Sequence, residues 1–134
     1  MDRERGRLLA GTGPDPAVAD LVRCLVVPYA ALLHDPGGRS YLRIVAQLRG
    51  RFAAWRVASD AATTEHLATV LAAIEARPDA PPPVQRERVV ALIMLLTGAV
   101  AERARRIDDG VGNELDHDGF VANLTAMGAA VVTA

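Results

Sequence analysis

Residues 83–107, PVQRERVVALIMLLTGAVAERARRI, form the stretch that decides the fold. Charged residues stand at both of its ends, but none occurs among the 13 residues from 89 to 101, where only Thr97 and Gly98 interrupt the apolar run. A helix on the surface of a globular protein needs one apolar stripe, whereas a helix that is apolar all round has to be covered on every side. The uncharged part is too short for a membrane span, which needs about 20 apolar residues.

This pattern leaves two interpretations open. The stretch is either the central helix of a small bundle or a bundle helix whose outer face is covered by a second subunit. Because a chain of 134 residues is small for a fully enclosed central helix, we favour the second interpretation, in which the protein is a homodimer.

The composition describes one soluble domain. Hydrophobic residues make up 51% of the chain and charged residues 23%, which argues against a disordered segment. The formal net charge of -1 provides no general attraction for nucleic acid or an anionic membrane. Cys24 is the only cysteine, so no intramolecular disulfide can form, and we expect a buried thiol rather than a reactive one. The N-terminal residues contain no apolar signal core, so we expect a cytoplasmic protein.

Four further segments show apolar side chains at three- and four-residue steps, the spacing of amphipathic helices. No segment alternates with the period of two that a strand requires, so the sequence predicts an all-α helical bundle of about five main helices, the last two forming a dimeric four-helix interface. A partly flexible connector at residues 1–13, with a short helical pattern at most, precedes the domain at residues 14–134. The first predicted helix starts near residue 16, and the second spans about 39–56. The third starts at 63 or 64, the fourth spans 83–107, and the fifth starts at 116 or 118.

Proline and aspartate mark the expected helix starts and interruptions. In the sequence PDP at 14–16, Asp15 can cap a helix and Pro16 suits its first turn. Pro28 falls inside that helix, where proline removes one backbone hydrogen bond, and it predicts a kink. Asp116 or Asp118 is expected to cap the last helix.

Histidines and carboxylates raise the question of a metal-dependent enzyme that uses His34, His66 or His117. Asp116, His117 and Asp118 are adjacent, but neighbours on a helix point about 100° apart and cannot all face one ion. The sequence has no pair of metal-ligand motifs with the required spacing. We therefore favour helix capping and a solvated loop, and expect no catalytic residues, no metal and no cofactor.

A small-molecule pocket is suggested by aromatic residues interleaved with small ones on the first two helices, together with a few polar groups. A pocket of this kind is mostly apolar and has a few convergent polar groups. Each aromatic side chain is at least as well explained by simple core packing. The candidate ligand-binding residues are Tyr29, Tyr41, Leu48, Phe52, Trp55, His66, Met94 and Thr97.

The dimer and core are expected to involve apolar side chains of the last two helices. The candidate interface residues are Val89, Leu92, Ile93, Leu96, Val100, Phe120, Leu124, Met127 and Val131.

Three blocks of the chain carry a family resemblance: VRCLVVPYAALLHDPGGRSYLRIVAQL at 22–48, PPVQRERVVALIMLLTGAVAERA at 82–104 and LDHDGFVANLTAMGAAV at 115–131. In their order and spacing they resemble the C-terminal domain of TetR-family transcriptional regulators. The resemblance implies an all-helical effector-binding and dimerisation domain whose last two long helices pack against their symmetry mates. The N-terminal helix-turn-helix domain of that family is absent from these residues, which suggests an excised domain or a shortened gene product.

The resemblance implies a ligand-sensing and dimerisation domain of a bacterial TetR-like regulator, a repressor that binds a small hydrophobic effector. DNA would be contacted only through a helix-turn-helix domain outside these residues, and no membrane partner is expected. The alternative is a stand-alone helical dimerisation or interaction module without a ligand, able to pair with a full-length regulator.

Overall fold

The computed structural model of the chain describes residues 1–48 and 65–134. In these two ranges the regular elements are six α-helices and one short 3₁₀-helix, without a strand, which confirms the predicted all-α class. The elements are α1 (Asp2–Ala10), α2 (Val18–Ala30), the 3₁₀-helix (Ala31–His34), α3 (Pro36–Leu48), α4 (Glu65–Glu75), α5 (Pro82–Asp108) and α6 (His117–Thr133).

Helix α5, which contains the uncharged stretch, is the centre of the packing and contacts α2, α3, α4 and α6. One stripe of α5 is buried by the rest of the chain. On its opposite face the side chains of Val90 and Met94 are 47% and 52% exposed. The described part of a single chain thus covers one side of this helix only. The buried stripe consists of Gln85, Val89, Leu92, Leu96, Val100 and Ala104.

Helix α6 folds back against α5 in an antiparallel hairpin. Near the turn, Arg103 Nη2 donates to the carbonyl oxygen of Leu115 at 2.8 Å, and its guanidinium lies 4.7 Å from the centre of the Phe120 ring. At the far end, Arg88 donates to the carbonyl oxygen of Ala134. The two helices therefore run side by side along most of their length.

The helix starts depend on local capping. Of the two predicted caps Asp116 and Asp118, it is Asp116 that caps α6, because its carboxylate accepts a hydrogen bond from the backbone N–H of Gly119 at 2.7 Å. The predicted cap Asp15 is wrong: α2 begins at Val18 and its N-cap is Ala17, which makes no side-chain capping bond. Asp15 stands two residues before the cap position. Helix α2 continues through Pro28 and ends two residues later, where the chain tightens into the 3₁₀-helix.

Helix α3 begins at Pro36, three residues earlier than predicted. Asp35 accepts a hydrogen bond from the backbone N–H of Gly38 at 2.7 Å, and Pro36 occupies the first helical position, which suits proline. A Cβ atom on Gly38 would lie 2.9 Å from the carbonyl carbon of Leu32, so only glycine allows this close approach. The predicted continuation of this helix to residue 56, and the predicted starts at 63 and 64, lie outside the described residues.

Residues 2–10 are part of the helical bundle and do not form a connector that precedes it. Nine of the residues assigned to a connector form α1, which packs against α2 and α4. Leu8 and Leu9 lie against the core, and Arg5 is buried. The sequence predicted a short helical pattern at most in this segment, because its few apolar residues are outnumbered by charged ones.

Five of the predicted interface residues lie in the core of the single chain: Val89, Leu92, Leu96, Val100 and Leu124. Helices α5 and α6, which carry these residues, pack against each other and against α2, and α5 also packs against α3 and α4. The five residues therefore belong to the core and not to a surface that a partner could cover. The three- and four-residue spacing of the apolar side chains indicates that these residues are buried, but it does not indicate which helices bury them. Of the other four, Met127 is 40% exposed, and Ile93, Phe120 and Val131 are half-buried.

Candidate functional site

A group of polar side chains lies near the contact of α1 with α2 and α4. We call it the Arg5 cluster and define it as Asp2 and Arg5 of α1, Tyr29 of α2, Tyr41 of α3 and His66 of α4. Tyr41, which is 42% exposed, is included because it raises the pKa values of Arg5 and Tyr29.

Asp2 joins α1 to the first turn of α4. Its carboxylate oxygens accept hydrogen bonds from the backbone N–H groups of His66 and Leu67, each at 3.0 Å. Oδ1 of Asp2 also lies 3.5 Å from Nη1 of Arg5. The first N–H groups of a helix have no partner within the helix, and negative charge there is favoured by the helix dipole. Asp2 is therefore a capping group supplied from a distant part of the sequence.

Arg5 is only 6% exposed. Burial lowers its pKa, and the neighbouring Asp2 carboxylate opposes that effect. An arginine side chain nevertheless stays protonated in proteins. Its Nε has no hydrogen-bond partner among residues 1–48 and 65–134. A buried donor without a partner costs about 1–3 kcal/mol, so this atom has a strong preference for an acceptor.

The hydroxyl of Tyr29 is the second buried polar atom that lacks a partner in the described part of the chain. Burial raises the pKa of Tyr29, the nearby Tyr41 raises it further, and the positive charge of Arg5 offsets part of the rise. The phenol is therefore protonated at neutral pH and its O–H is available to donate. Arg5 Nε and the Tyr29 hydroxyl are thus two buried donors without a described partner.

The backbone of α1 packs directly on the ring of His66. A Cβ atom added to Gly6 would lie 2.6 Å from Nε2 of His66, which is closer than van der Waals contact allows. Glycine at this position lets α1 approach α4 closely enough for Asp2 to cap it.

Three of the predicted ligand-binding residues, Tyr29, Tyr41 and His66, belong to the group defined here as the Arg5 cluster. Tyr29 is half-buried with its hydroxyl inside, and Tyr41 is more exposed. Phe52 and Trp55 lie outside the described residues, so their prediction has no structural counterpart here.

The other three predicted ligand-binding residues lie apart from the Arg5 cluster. Leu48 is exposed at the end of α3, and Met94 is exposed on the outer face of α5. The hydroxyl of Thr97 donates to the carbonyl oxygen of Ile93 at 2.8 Å. That hydroxyl is therefore used within its own helix and is not an orienting group for a ligand in this cluster.

Asp2 and Arg5 are the site residues that sequence reasoning missed. A signal for Arg5 was present, since Arg5, Leu8 and Leu9 follow the i, i+3, i+4 spacing of one helix face. No local signal could have shown that Asp2 meets the start of a helix more than 60 residues later.

A second group of titratable residues lies where the 3₁₀-helix meets the start of α6. The rings of His34 and His117 lie 4.3 Å apart between their centres. Burial lowers the pKa of His117, the neighbouring His34 and Arg103 lower it further, and Asp118 and Asp116 oppose the change. The two imidazoles are thus arranged so that protonation of His117 is unfavourable.

An open groove of about 480 Å³ runs between α3 and α5. Arg43 at its edge is paired with Asp108 at 3.3 Å, and Arg105 is paired with Glu102 at 2.6 Å and with Asp109 at 2.9 Å. Because its charged groups already have partners, the groove is a weaker candidate site than the Arg5 cluster. It is lined by Arg43, Ala46, Gln47, Gly98, Ala101, Glu102 and Arg105.

No protein-family model, no characterised protein and no solved structure matches the chain. Among the helices that the structure describes, none is long and apolar enough to cross a membrane. Within residues 1–48 and 65–134, no group of three or more His, Cys, Asp and Glu side chains is arranged to hold a metal ion.

Replacing Asp2 should destabilise the whole bundle. Asp2→Ala removes the cap of α4 and leaves Arg5 buried without its carboxylate, so the free energy of unfolding should fall by about 2 kcal/mol or more in urea denaturation. Glu4→Ala is the matched control, because Glu4 lies on the same helix in an exposed pair with Arg7, and it should leave the midpoint unchanged. Equal effects of the two substitutions would contradict the capping role of Asp2.

Acid should destabilise the protein through His117. Its pKa is lowered in the folded state, so the unfolded chain takes up the proton first, and the free energy of unfolding falls as the pH drops below the ordinary histidine value of about 6.5. His117→Gln should flatten this dependence in urea denaturation between about pH 8 and pH 5, and His34→Gln, which removes only the neighbouring ring, should flatten it in part. An unchanged slope in His117→Gln would refute the assignment.

Proposed function

We propose that the chain is the ligand-sensing and dimerisation domain of a bacterial TetR-like transcriptional regulator, a repressor that binds a small hydrophobic effector. The observation that carries the proposal is the Arg5 cluster, in which Arg5 Nε and the Tyr29 hydroxyl are buried without a described partner. Small-molecule sites combine mostly apolar walls with a few polar groups that orient the ligand.

The surroundings of the cluster support an effector that is mainly apolar. Leu8 and Leu9 on α1 and Leu67 on α4 are partly buried against the core, and Val70, one turn further along α4, is fully buried. These apolar side chains of α1 and α4 favour an effector that is mainly apolar.

The outer faces of α5 and α6 support the dimerisation part of the proposal. Residues 89–101 of α5 and 119–133 of α6 contain no charged residue, yet each helix exposes one side to solvent. Uncharged faces on two adjoining helices are typical of surfaces that a partner covers. A second copy placed there would complete a four-helix bundle. The exposed residues of these faces include Val90, Ala91, Met94, Ala122, Ala126, Met127 and Ala130.

In this proposal the effector acts by favouring one of two arrangements of the dimer, since a ligand with equal affinity for both would transmit nothing. The arrangement of the α5–α6 hairpins would set the spacing of helix-turn-helix domains attached outside the described residues.

Ligand sensing is tested by thermal denaturation of the full chain with a panel of hydrophobic small molecules. We expect at least one compound to raise the midpoint temperature in a dose-dependent way, because a molecule that binds only the folded state stabilises it. Polar analogues of similar size serve as the control. If no compound in the panel shifts the midpoint, the ligand-sensing function is wrong.

The alternative function is a helical dimerisation module without a ligand, able to pair with a full-length regulator. The uncharged outer face of α6 favours it, because association through that face requires no effector. A dimer that forms in a protein which binds no compound would support this alternative.

The interface is tested with substitutions of exposed residues, because an arginine at Leu96 would disrupt the core of each subunit instead. The wild-type chain should be a dimer by size-exclusion chromatography with light scattering across a dilution series. Met94→Arg combined with Met127→Arg should give a folded monomer, since each subunit would bury two unpaired charges on association. Val111→Arg, in the exposed loop between α5 and α6, is the control. A persistent dimer in the double variant would exclude this face as the interface.

A further inference from the structure

Two histidines from different elements meet at the start of α6. His34 is the last residue of the 3₁₀-helix, and His117 is the first residue of α6. The centres of their rings lie 4.3 Å apart, and the ring planes are tilted by 42° to each other. The packing of the bundle therefore holds two imidazoles side by side, although they are far apart in the sequence.

The distance between the rings is close to that of two histidines bound to one metal ion. Histidine nitrogens bind Zn²⁺ at about 2.0–2.1 Å, so two imidazoles on one ion have ring centres roughly 4.5–5 Å apart. His34 is exposed and His117 is partly exposed, so an ion in water can reach the pair. A rotation of the exposed His34 side chain is enough to supply the small difference in distance.

The charges next to His117 favour a cation at this position. Asp116 and Asp118 flank His117 in the sequence, and the Asp116 carboxylate is held at the first turn of α6 as its cap. The positive group on α5 beside this turn is Arg103, which donates to the carbonyl oxygen of Leu115. Two carboxylates and one guanidinium leave a net negative charge there, which attracts a cation.

The pair is a smaller site than a full metal centre. Adjacent residues of one helix cannot all face one ion, which is why the sequence predicts no metal at 116–118. Two rings on different elements are not restricted in that way. Within residues 1–48 and 65–134, no group of three or more side chains is arranged to hold a metal ion. An ion bound by the two rings would therefore keep water in its other coordination positions.

We propose that His34 and His117 form a binding site for a divalent transition metal ion with the ligand preference of Zn²⁺. Imidazole nitrogen suits zinc, copper and nickel, whereas Mg²⁺ and Ca²⁺ prefer oxygen ligands. The ion joins the 3₁₀-helix to the start of α6. This site is separate from the Arg5 cluster and does not depend on the proposed ligand-sensing function.

The test is isothermal titration calorimetry of the full chain, without a histidine tag, with zinc chloride at a pH above the ordinary histidine pKa of about 6.5. Zn²⁺ should bind with one ion per chain, and magnesium chloride, the comparison, should not bind detectably. Zn²⁺ should also raise the midpoint temperature of thermal denaturation, since an ion that binds only the folded state stabilises it, and EDTA should reverse the rise.

His34→Gln and His117→Gln should each weaken Zn²⁺ binding about 10-fold or more, because each leaves one imidazole on the ion. His66→Gln is the matched control, because it removes the third histidine of the chain, which belongs to the Arg5 cluster, and it should bind Zn²⁺ like the wild type. Circular dichroism checks that each variant is folded. Lowering the pH of the wild-type titration to about 5.5 should also weaken binding, because protons compete for both rings, and this measurement needs no variant.

The proposal is overturned if the wild-type chain does not bind Zn²⁺, or if its binding is unchanged at the lower pH. It is also overturned if either His34→Gln or His117→Gln binds Zn²⁺ like the wild type, since both rings are required. Equal binding of Mg²⁺ would indicate a carboxylate site instead. A loss of binding in His66→Gln as large as in His117→Gln would place the ion elsewhere in the protein. None of these results decides the effector panel, so ligand sensing stands or fails separately.

Discussion

The carboxylate of Asp2 is the contact on which the interior of the bundle depends. It accepts hydrogen bonds from the first turn of α4 and lies beside Arg5, so that it fixes α1 against α4 and draws a guanidinium out of water. A buried guanidinium has five N–H groups, and one carboxylate that is already shared with a helix terminus cannot satisfy them all. Because the Asp2 carboxylate is shared in this way, Nε of Arg5 is left without a partner. The cluster therefore has more hydrogen-bond donors than acceptors.

The second constraint is the incomplete cover of α5. Its buried stripe is enclosed by four neighbouring helices, but the uncharged run extends around the helix to Val90 and Met94, which the chain leaves exposed. Helix α6 repeats the pattern with Ala126 and Met127. A surface helix of a monomer normally carries charges on its outer side. The absence of charge over residues 89–101 of α5 and 119–133 of α6 is the physical reason for placing a second copy there in the proposed dimer.

Elements whose signals are local could be predicted from the sequence, and elements that depend on distant contacts could not. The long periodic helices were found, and Asp116 was identified as a cap, because capping is decided within four residues. Asp15 was chosen for the same reason and was wrong, since the backbone becomes helical only after Ala17. A nine-residue helix rich in charge, such as α1, is marginal on its own and is stabilised by packing, so its local pattern is weak. The burial of Arg5 depends on that packing.

Helix α2 is the element that physically joins the Arg5 cluster to the outer hairpin. It carries Tyr29 near one end, and towards its other end Val22 packs against Gly128 of α6, where an added Cβ would lie 2.8 Å from Val22 and 2.9 Å from Leu92. Because Gly128 has no side chain, the Val22 side chain of α2 contacts the backbone of α6 directly at this point. Coupling between sites requires such an element with two arrangements that both sites influence. In the proposed regulator, a ligand that displaces Tyr29 would therefore act on the α5–α6 hairpin through the contact between Val22 and Gly128.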